Sequence, residues 1–414
     1  MTILIQQATL VAPSSSFHLQ VCDVLLDDGT ISRIDHHIES ANHDIIPAQG
    51  YFLSLGWFDL FCQSGEPGQE STETLETLAH AAWAGGFTEV ALTPNLYPVT
   101  DKESQVKAIQ QRAQEGHVCF HPIGAVTRQT EGKELAEMYE LDRAGAPAFS
   151  DGWKSIQSGG LLLKALQYLI PTGKTLIQLP DDQGILPHGL MHEGLVSTQL
   201  GLPGRPTLAE FTQIDRDIEI ARYTGGKIHF TGISCIESIE RIRAAKATGV
   251  HVTCSVTPAH LFWTDEDLRQ YSGQLKTNPP LRTTQHRDAL RTALLDGTID
   301  AITTHHHPRL DDHKSCEFEY AKPGMLALET AFSLCCTALG AEHTPRILEA
   351  LSSEPRRVLG VELPSLQVGS RANLTLVDPH ARVTYSASTR KSRAFNSPAY
   401  GLPLQGRVIA TFHG

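Results

Sequence analysis

The order of apolar runs along the chain predicts an α/β protein: a (β/α)8 TIM-like barrel with a small β-sandwich domain assembled from both chain ends. Three observations carry this expectation. Eight runs of strand length alternate with segments of helical period through the middle of the chain, and parallel strands need such helical crossovers. Both ends read as short strands without intervening helices. No G-x-G-x-x-G turn follows the first of the eight runs, which removes the open doubly wound sheet and its phosphate-binding turn.

In chain order, the opening strands fall at 2–6, 23–26 and 31–35. The last two are joined by Asp27-Asp28-Gly29-Thr30, an Asp-Gly turn between alternating apolar residues that signals a hairpin. The barrel strands are expected at 52–61, 87–93, 118–124, 147–150, 175–179, 227–231, 251–256 and 299–304, with helices at 71–84, 102–115, 133–143, 160–169, 208–223, 236–247 and 286–295. The first helix opens on Ser71-Thr72-Glu73-Thr74, hydroxyls and an acid suited to a helix start. Closing strands follow Gly369-Ser370 and Gly406, at 374–377 and 407–412. The expected division is a composite β domain of residues 1–50 plus 366–414, and a barrel over 51–365.

Composition sets the outer limits. With 414 residues, 41% hydrophobic and 19% charged, the chain can bury a large core. A net charge of −12 argues against nucleic acid or an anionic membrane as partner. The start alternates like a strand, and no apolar stretch reaches the length of a membrane span. Eight cysteines are scattered without a C-x-x-C pair, as in reduced, buried thiols, so a cytoplasmic location is expected.

In a (β/α)8 barrel the chemistry lies at the C-terminal ends of the strands, and the segments there are distinctive. Gly56-Trp57-Phe58-Asp59-Leu60-Phe61-Cys62-Gln63-Ser64-Gly65-Glu66-Pro67-Gly68 resembles the dihydroorotase signature G-F-I-D-x-H-x-H-x-R-E-P-G of the multifunctional-complex type. Thr93-Pro94-Asn95 is similar to the family's M-P-N, Phe149-Ser150-Asp151-Gly152 to F-S-D-D-G, and Met191-His192-Glu193-Gly194 to M-H-E-G. Asn278-Pro279-Pro280-Leu281-Arg282, Asp296-Gly297-Thr298-Ile299-Asp300 and Asn396-Ser397-Pro398 continue the series. Ordered matches over most of the chain make the resemblance specific, where E-P-G alone would be weak.

That resemblance implies a cyclic amidase of the amidohydrolases. Active relatives bind zinc through two histidines after the first barrel strand, an acid after the fourth, a histidine each after the fifth and sixth, and an aspartate after the eighth that shuttles the proton. At those positions this chain has Phe61, Gln63, Asp151, Gln178, Gly232 and His305. Only Asp151 keeps the family residue, and Gly65 stands where the family has its substrate-carboxylate arginine. Phenylalanine and glycine side chains offer no donor, and a neutral amide is a poor zinc ligand. No bound metal and no other cofactor are therefore expected.

Other polar residues keep several readings. His305, His306 and His307 occupy the last strand end. They admit pocket-lining imidazoles, a rebuilt mononuclear metal site with Asp151, or acid–base chemistry without metal. Neighbours on extended backbone point to opposite sides, so only His305 and His307 can share a focus. The resemblance places Asn95, Asn278, His306 and His307 in the pocket, although a strand-end Asn equally suits loop capping. His229 and His260 read as core histidines, His188 and His192 fall in a long loop, and Glu66, Gln69 and Glu70 read as fixing the first loop.

The function expected from these residues is a dihydroorotase-like protein of pyrimidine biosynthesis acting as a non-catalytic subunit or scaffold. Inactive dihydroorotase-like chains hold aspartate transcarbamoylase in an assembly, which makes that enzyme the expected partner, with a homodimer as the expected state. The alternative is an active cyclic-amide hydrolase with a site rebuilt around Asp151, His305 and His307. A third reading keeps the pocket for small-molecule binding only.

Overall fold

The computed structural model describes residues 2–39, 44–113 and 117–414. The first strands are β1 (Thr2–Val11), β2 (Val21–Asp27), β3 (Thr30–Asp35), β4 (Asp44–Pro47) and β5 (Phe52–Leu55). The barrel strands follow: β6 (Trp57–Cys62), β7 (Phe87–Leu92), β8 (Cys119–Pro122), β9 (Ala148–Phe149) and β10 (Thr175–Gln178). After a small parallel pair, β11 (Met191–His192) and β12 (Gly204–Arg205), come β13 (Lys227–Phe230), β14 (Val252–Val256) and β15 (Ala301–Ile302). The chain closes with β16 (Asn373–Thr384) and β17 (Pro403–His413).

Parallel pairing runs β6-β7-β8 and β9-β10-β13-β14-β15, and a bridge from Gly124 to Phe149 joins the two stretches. The remaining seam is closed by Asp59, in the middle of β6. Its carboxylate accepts from the Thr304 amide (2.7 Å), the Thr304 hydroxyl and the Thr303 hydroxyl. The Gln63 amide donates to the His306 carbonyl across the same seam. Helices pack outside, where Leu75, Leu78, Ile109, Leu162, Ile218 and Ile242 join one continuous core with the outward faces of the strands. The fold is the (β/α)8 barrel with an accessory β domain that the residue pattern predicts.

Both chain ends build that accessory domain, a seven-stranded sheet in the order β17-β16-β5-β1-β2-β3 with β4 beside β1. Its core mixes Ile5, Leu10, Val24 and Ile31 from the start with Leu374 and Leu376 from the end. The expected first barrel strand over 52–61 is in fact two strands. Gly56 separates them: its amide donates to the Asn373 carbonyl at 2.8 Å, and a Cβ there would lie 2.0 Å from Asn373 Oδ1. Only bare backbone passes this point, so residues 52–55 belong to the β domain and the boundary moves past residue 50.

The helix expected from Ser71 begins at Leu75. Thr74 is the cap, its hydroxyl accepting from the Thr77 amide while Thr77 Oγ1 accepts from the Thr74 amide. The 102–115 helix runs over Glu103–Ala113, with 114–115 outside the described residues, and 133–143 shrinks to Met138–Arg143. Three helices beyond the expected alternation, Ala331–Leu339, Thr344–Leu351 and Ser353–Leu359, lie between the last barrel strand and β16. All eight cysteines are free. No helix among the described residues is long and apolar enough to cross a membrane.

Candidate functional site

The strand ends converge on an aromatic cluster. Phe61 leaves β6 fully buried, and its ring lies 4.9 Å from Trp153 and 4.9 Å from His305. Trp153 stacks on His307 at 4.4 Å and 29° and meets His305 edge-on at 5.4 Å. His305 has φ +49, a left-handed conformation that costs a non-glycine residue energy. That turn lays its ring against Gly232, where a Cβ would stand 2.4 Å from His305 Cε1. His305 Nε2 is 2.8 Å from Thr231 Oγ1. Burial, with His260 and His229 nearby, draws the His305 imidazole down to about 3, so it is neutral at pH 7.

The other positions matched to the family's ligands are held by their own surroundings. Gln63 donates to the Ser64 and Asn95 carbonyls at 2.8 and 2.9 Å, and its oxygen accepts from Thr93 and from the Trp153 indole. Gln178 donates to Asp217 at 3.2 Å and accepts from the Ile156 amide at 3.3 Å. Asp151 accepts from the Val126 and Thr127 amides and the Thr127 hydroxyl. Burial nonetheless pushes its carboxyl up to about 6. Among the described residues no group of three His, Cys, Asp or Glu side chains is placed to hold a metal ion.

Beside the cluster lies a cavity of about 130 Å³ lined by Trp153, Asn278, His305, His307 and Arg309, among others. Two residues expected in the pocket are elsewhere. Asn95 bridges loops, accepting from the Trp153 amide (3.0 Å) and donating to the Asp151 carbonyl (3.0 Å). His306 turns to the opposite side, where Nδ1 accepts from the Ala327 amide and Nε2 sits 3.7 Å from Glu73. The last strand ends at Ile302 and the left-handed turn at His305 redirects the chain, so the side that His306 faces is set by its contacts with Ala327 and Glu73.

His229 bonds Thr253 and Ser255 through its two nitrogens, and His260 bonds Thr257 and the Pro279 carbonyl. His192 accepts from Arg282, which also donates to Ser234 and to the Arg205 carbonyl. The Asn-Pro-Pro-Leu-Arg run thus ends in a residue that ties the mouth loops together. Glu66 accepts from the Leu75 amide and Glu70 from the Gly68 amide, which fixes the first loop. Trp153 and Arg309 were not among the expected site residues. The signal for Arg309 was present, since it stands where the family's T-D-H-A-P-H ends in histidine. A tryptophan two residues beyond Asp151 carries no such mark.

A barrel of this kind, joined to a β domain drawn from both chain ends, is that of the amidohydrolases. Residues 214–412 match the family described as Amidohydrolase family. L-hydantoinase from Arthrobacter aurescens superposes with a TM-score of 0.85 at 21% identity, covering 100% of this chain and 96% of that one. Dihydropyrimidinase from Brevibacillus agri gives 0.82 at 19%, covering 99% and 93%. Within that class, residues 50–238 match the family described as Dihydro-orotase-like. The dihydroorotase of Pelotomaculum thermopropionicum is 39% identical over 100% of this chain and 97% of its own length, and that of Acetivibrio thermocellus 38% over 99% and 97%. The chain belongs to the dihydroorotase-like amidohydrolases.

Proposed function

We propose that this chain serves pyrimidine biosynthesis as a non-catalytic dihydroorotase-like subunit, a scaffold for an enzyme such as aspartate transcarbamoylase. The observation that carries this reading is the packing of His305 over Gly232. An imidazole ring fills the space next to a position that would have to supply a zinc ligand, and the glycine has nothing to supply. The neighbouring donors do not fit zinc either. Phe61 has no lone pair, both amides are engaged with protein groups, and Asp151 spends both oxygens on the 126–127 loop. Catalytic zinc needs about three protein ligands. The intact barrel and β domain support a role for the surface. A hydrolase rebuilt around Asp151, His305 and His307 is less favoured, because Asp151 and His305 are already bonded to Thr127 and Thr231.

Full-length protein purified without chelator should hold far less than one zinc per chain and show no dihydroorotate hydrolysis. It should co-purify with aspartate transcarbamoylase from the same source and shift that enzyme's melting temperature. Near-stoichiometric zinc, with turnover lost in Asp151→Ala, would replace this reading by the hydrolase. A metal-free chain that leaves the transcarbamoylase unaffected would remove the scaffold role.

A further inference from the structure

A separate cavity of about 180 Å³ lies outside the barrel, where the Ala331–Leu339 helix packs on β16 and β17. It shares no lining residue with the cavity at the barrel mouth. Two opposite charges line it. Glu329, partly buried, accepts through Oε1 from the Tyr385 hydroxyl at 2.9 Å and from the Lys391 and Ser392 amides. Among the described residues its Oε2 accepts only from the Lys391 amide, which leaves a lone pair open. No cation among them stands within ion-pair distance of this carboxylate, and burial holds it above the ordinary carboxylate value. Arg407, exposed on β17, also lines the cavity, and its side chain makes no hydrogen bond and no ion pair among the described residues.

The third polar group is Thr330. It stands directly before the Ala331–Leu339 helix, where a threonine usually turns its hydroxyl onto a helix amide, yet it forms no such bond. Its Oγ1 is buried and has no partner among the described residues, although Thr330 lines the cavity. Buried polar groups are nearly always satisfied, and a carboxylate withdrawn from water without a counter-ion is costly. An acid and a base that share a cavity without reaching each other leave room for a ligand that bridges them. Phe332, Val383, Leu404 and Val408 add apolar walls.

We propose that this cavity binds a small α-amino acid with an apolar side chain. The ligand's carboxylate lies on the Arg407 guanidinium and the Thr330 hydroxyl, its ammonium on Glu329 Oε2, and its side chain against the apolar walls. The guanidinium fork suits a carboxylate, and the ammonium supplies the counter-charge that Glu329 lacks. A simple anion would set a like charge against Glu329, and a simple cation would leave Thr330 and Arg407 without a partner. Glu329 and Thr330 follow the last barrel strand, whereas Arg407 belongs to the β domain, so the ligand ties the two parts together. The proposal is independent of what the barrel mouth holds.

Titration calorimetry on the full chain tests it with L-valine, glycine, isovalerate and isobutylamine, the last two being valine without its ammonium and without its carboxylate. Valine should bind at one saturable site and raise the melting temperature, with the other three about tenfold weaker or more. Arg407→Gln should weaken valine about tenfold. Thr330→Val should weaken it about threefold and leave the ligand-free melting temperature unchanged, since the hydroxyl bonds nothing among the described residues. Glu329 also holds the 391–392 backbone, so isovalerate reads the ammonium end in place of a Glu329 variant. Absence of saturable valine binding would overturn the proposal. So would glycine or either fragment binding as tightly as valine, or an isotherm unchanged by Arg407→Gln or by Thr330→Val.

Discussion

At Gly232 two constraints meet in one residue. Its φ is +68, and the position of a Cβ is already taken by the His305 ring. Gly232→Ala should therefore cost about 2–4 kcal/mol, combining left-handed strain with overpacking, measured by urea denaturation. In a His305→Ala background the same substitution should cost only the strain, about 1–2 kcal/mol. An equally large cost in that background would show that the ring is not what the new methyl meets. The residue types at the six matched positions were legible without coordinates, since the absence of donor atoms is a property of the side chains. Their arrangement was not. That His306 faces Glu73 and that Asn95 bridges loops depend on where the last strand ends and how the 151–153 turn lies, and no local pattern encodes either.

Elements are held in register by a few buried polar ties. The Arg356 side chain, fully buried in the Ser353–Leu359 helix, donates to Glu89 on β7 and to the carbonyls of Gly56 and Ser352. His121 on β8 reaches the same carboxylate at 2.8 Å. Burial raises the Glu89 carboxyl, but the His121 hydrogen bond and Arg356 outweigh it and hold it at about 2. Arg356→Met should cost about 3 kcal/mol, because it strands a carboxylate in a largely buried setting. A loss below about 1 kcal/mol in chemical denaturation would mean that His121 alone satisfies it. Strands and helices were legible where periodicity was strong, as in β7, β10 and the Ile236–Ala247 helix. The division at Gly56 escaped because both halves of 52–61 are apolar, and only the approach of Asn373, distant in sequence, separates them.

For the molecule as a whole, the buried histidines set the response to acid. Burial draws His192, His229 and His305 to about 3 and His260 to about 4, from 6.5. As pH falls below 6.5 the unfolded chain takes up protons that the folded protein refuses, so stability falls. Asp151 and Asp217 act in the opposite sense. Burial raises both to about 6, so between pH 6 and 4 the folded protein binds protons that the unfolded chain lacks. Among these six groups four oppose two, and their combined contribution is a loss of stability from pH 7 to 5. His229→Asn should flatten that loss relative to its own value at pH 7. Unfolding free energies that rise on acidification, or an unchanged slope in the variant, would contradict this account.

The accessory sheet also imposes an order on synthesis. β5 pairs with β1 on one side and with β16 on the other. More than three hundred residues separate β5 from its second neighbour. As the chain leaves the ribosome, that outer edge stands open, with unmet amides and carbonyls, until the whole barrel has emerged. The apolar face of Leu53 and Leu55 waits with it for Leu374 and Leu376. An open strand edge is a template for pairing with another copy, so the interval before the last strands arrive is when this protein is most exposed to aggregation.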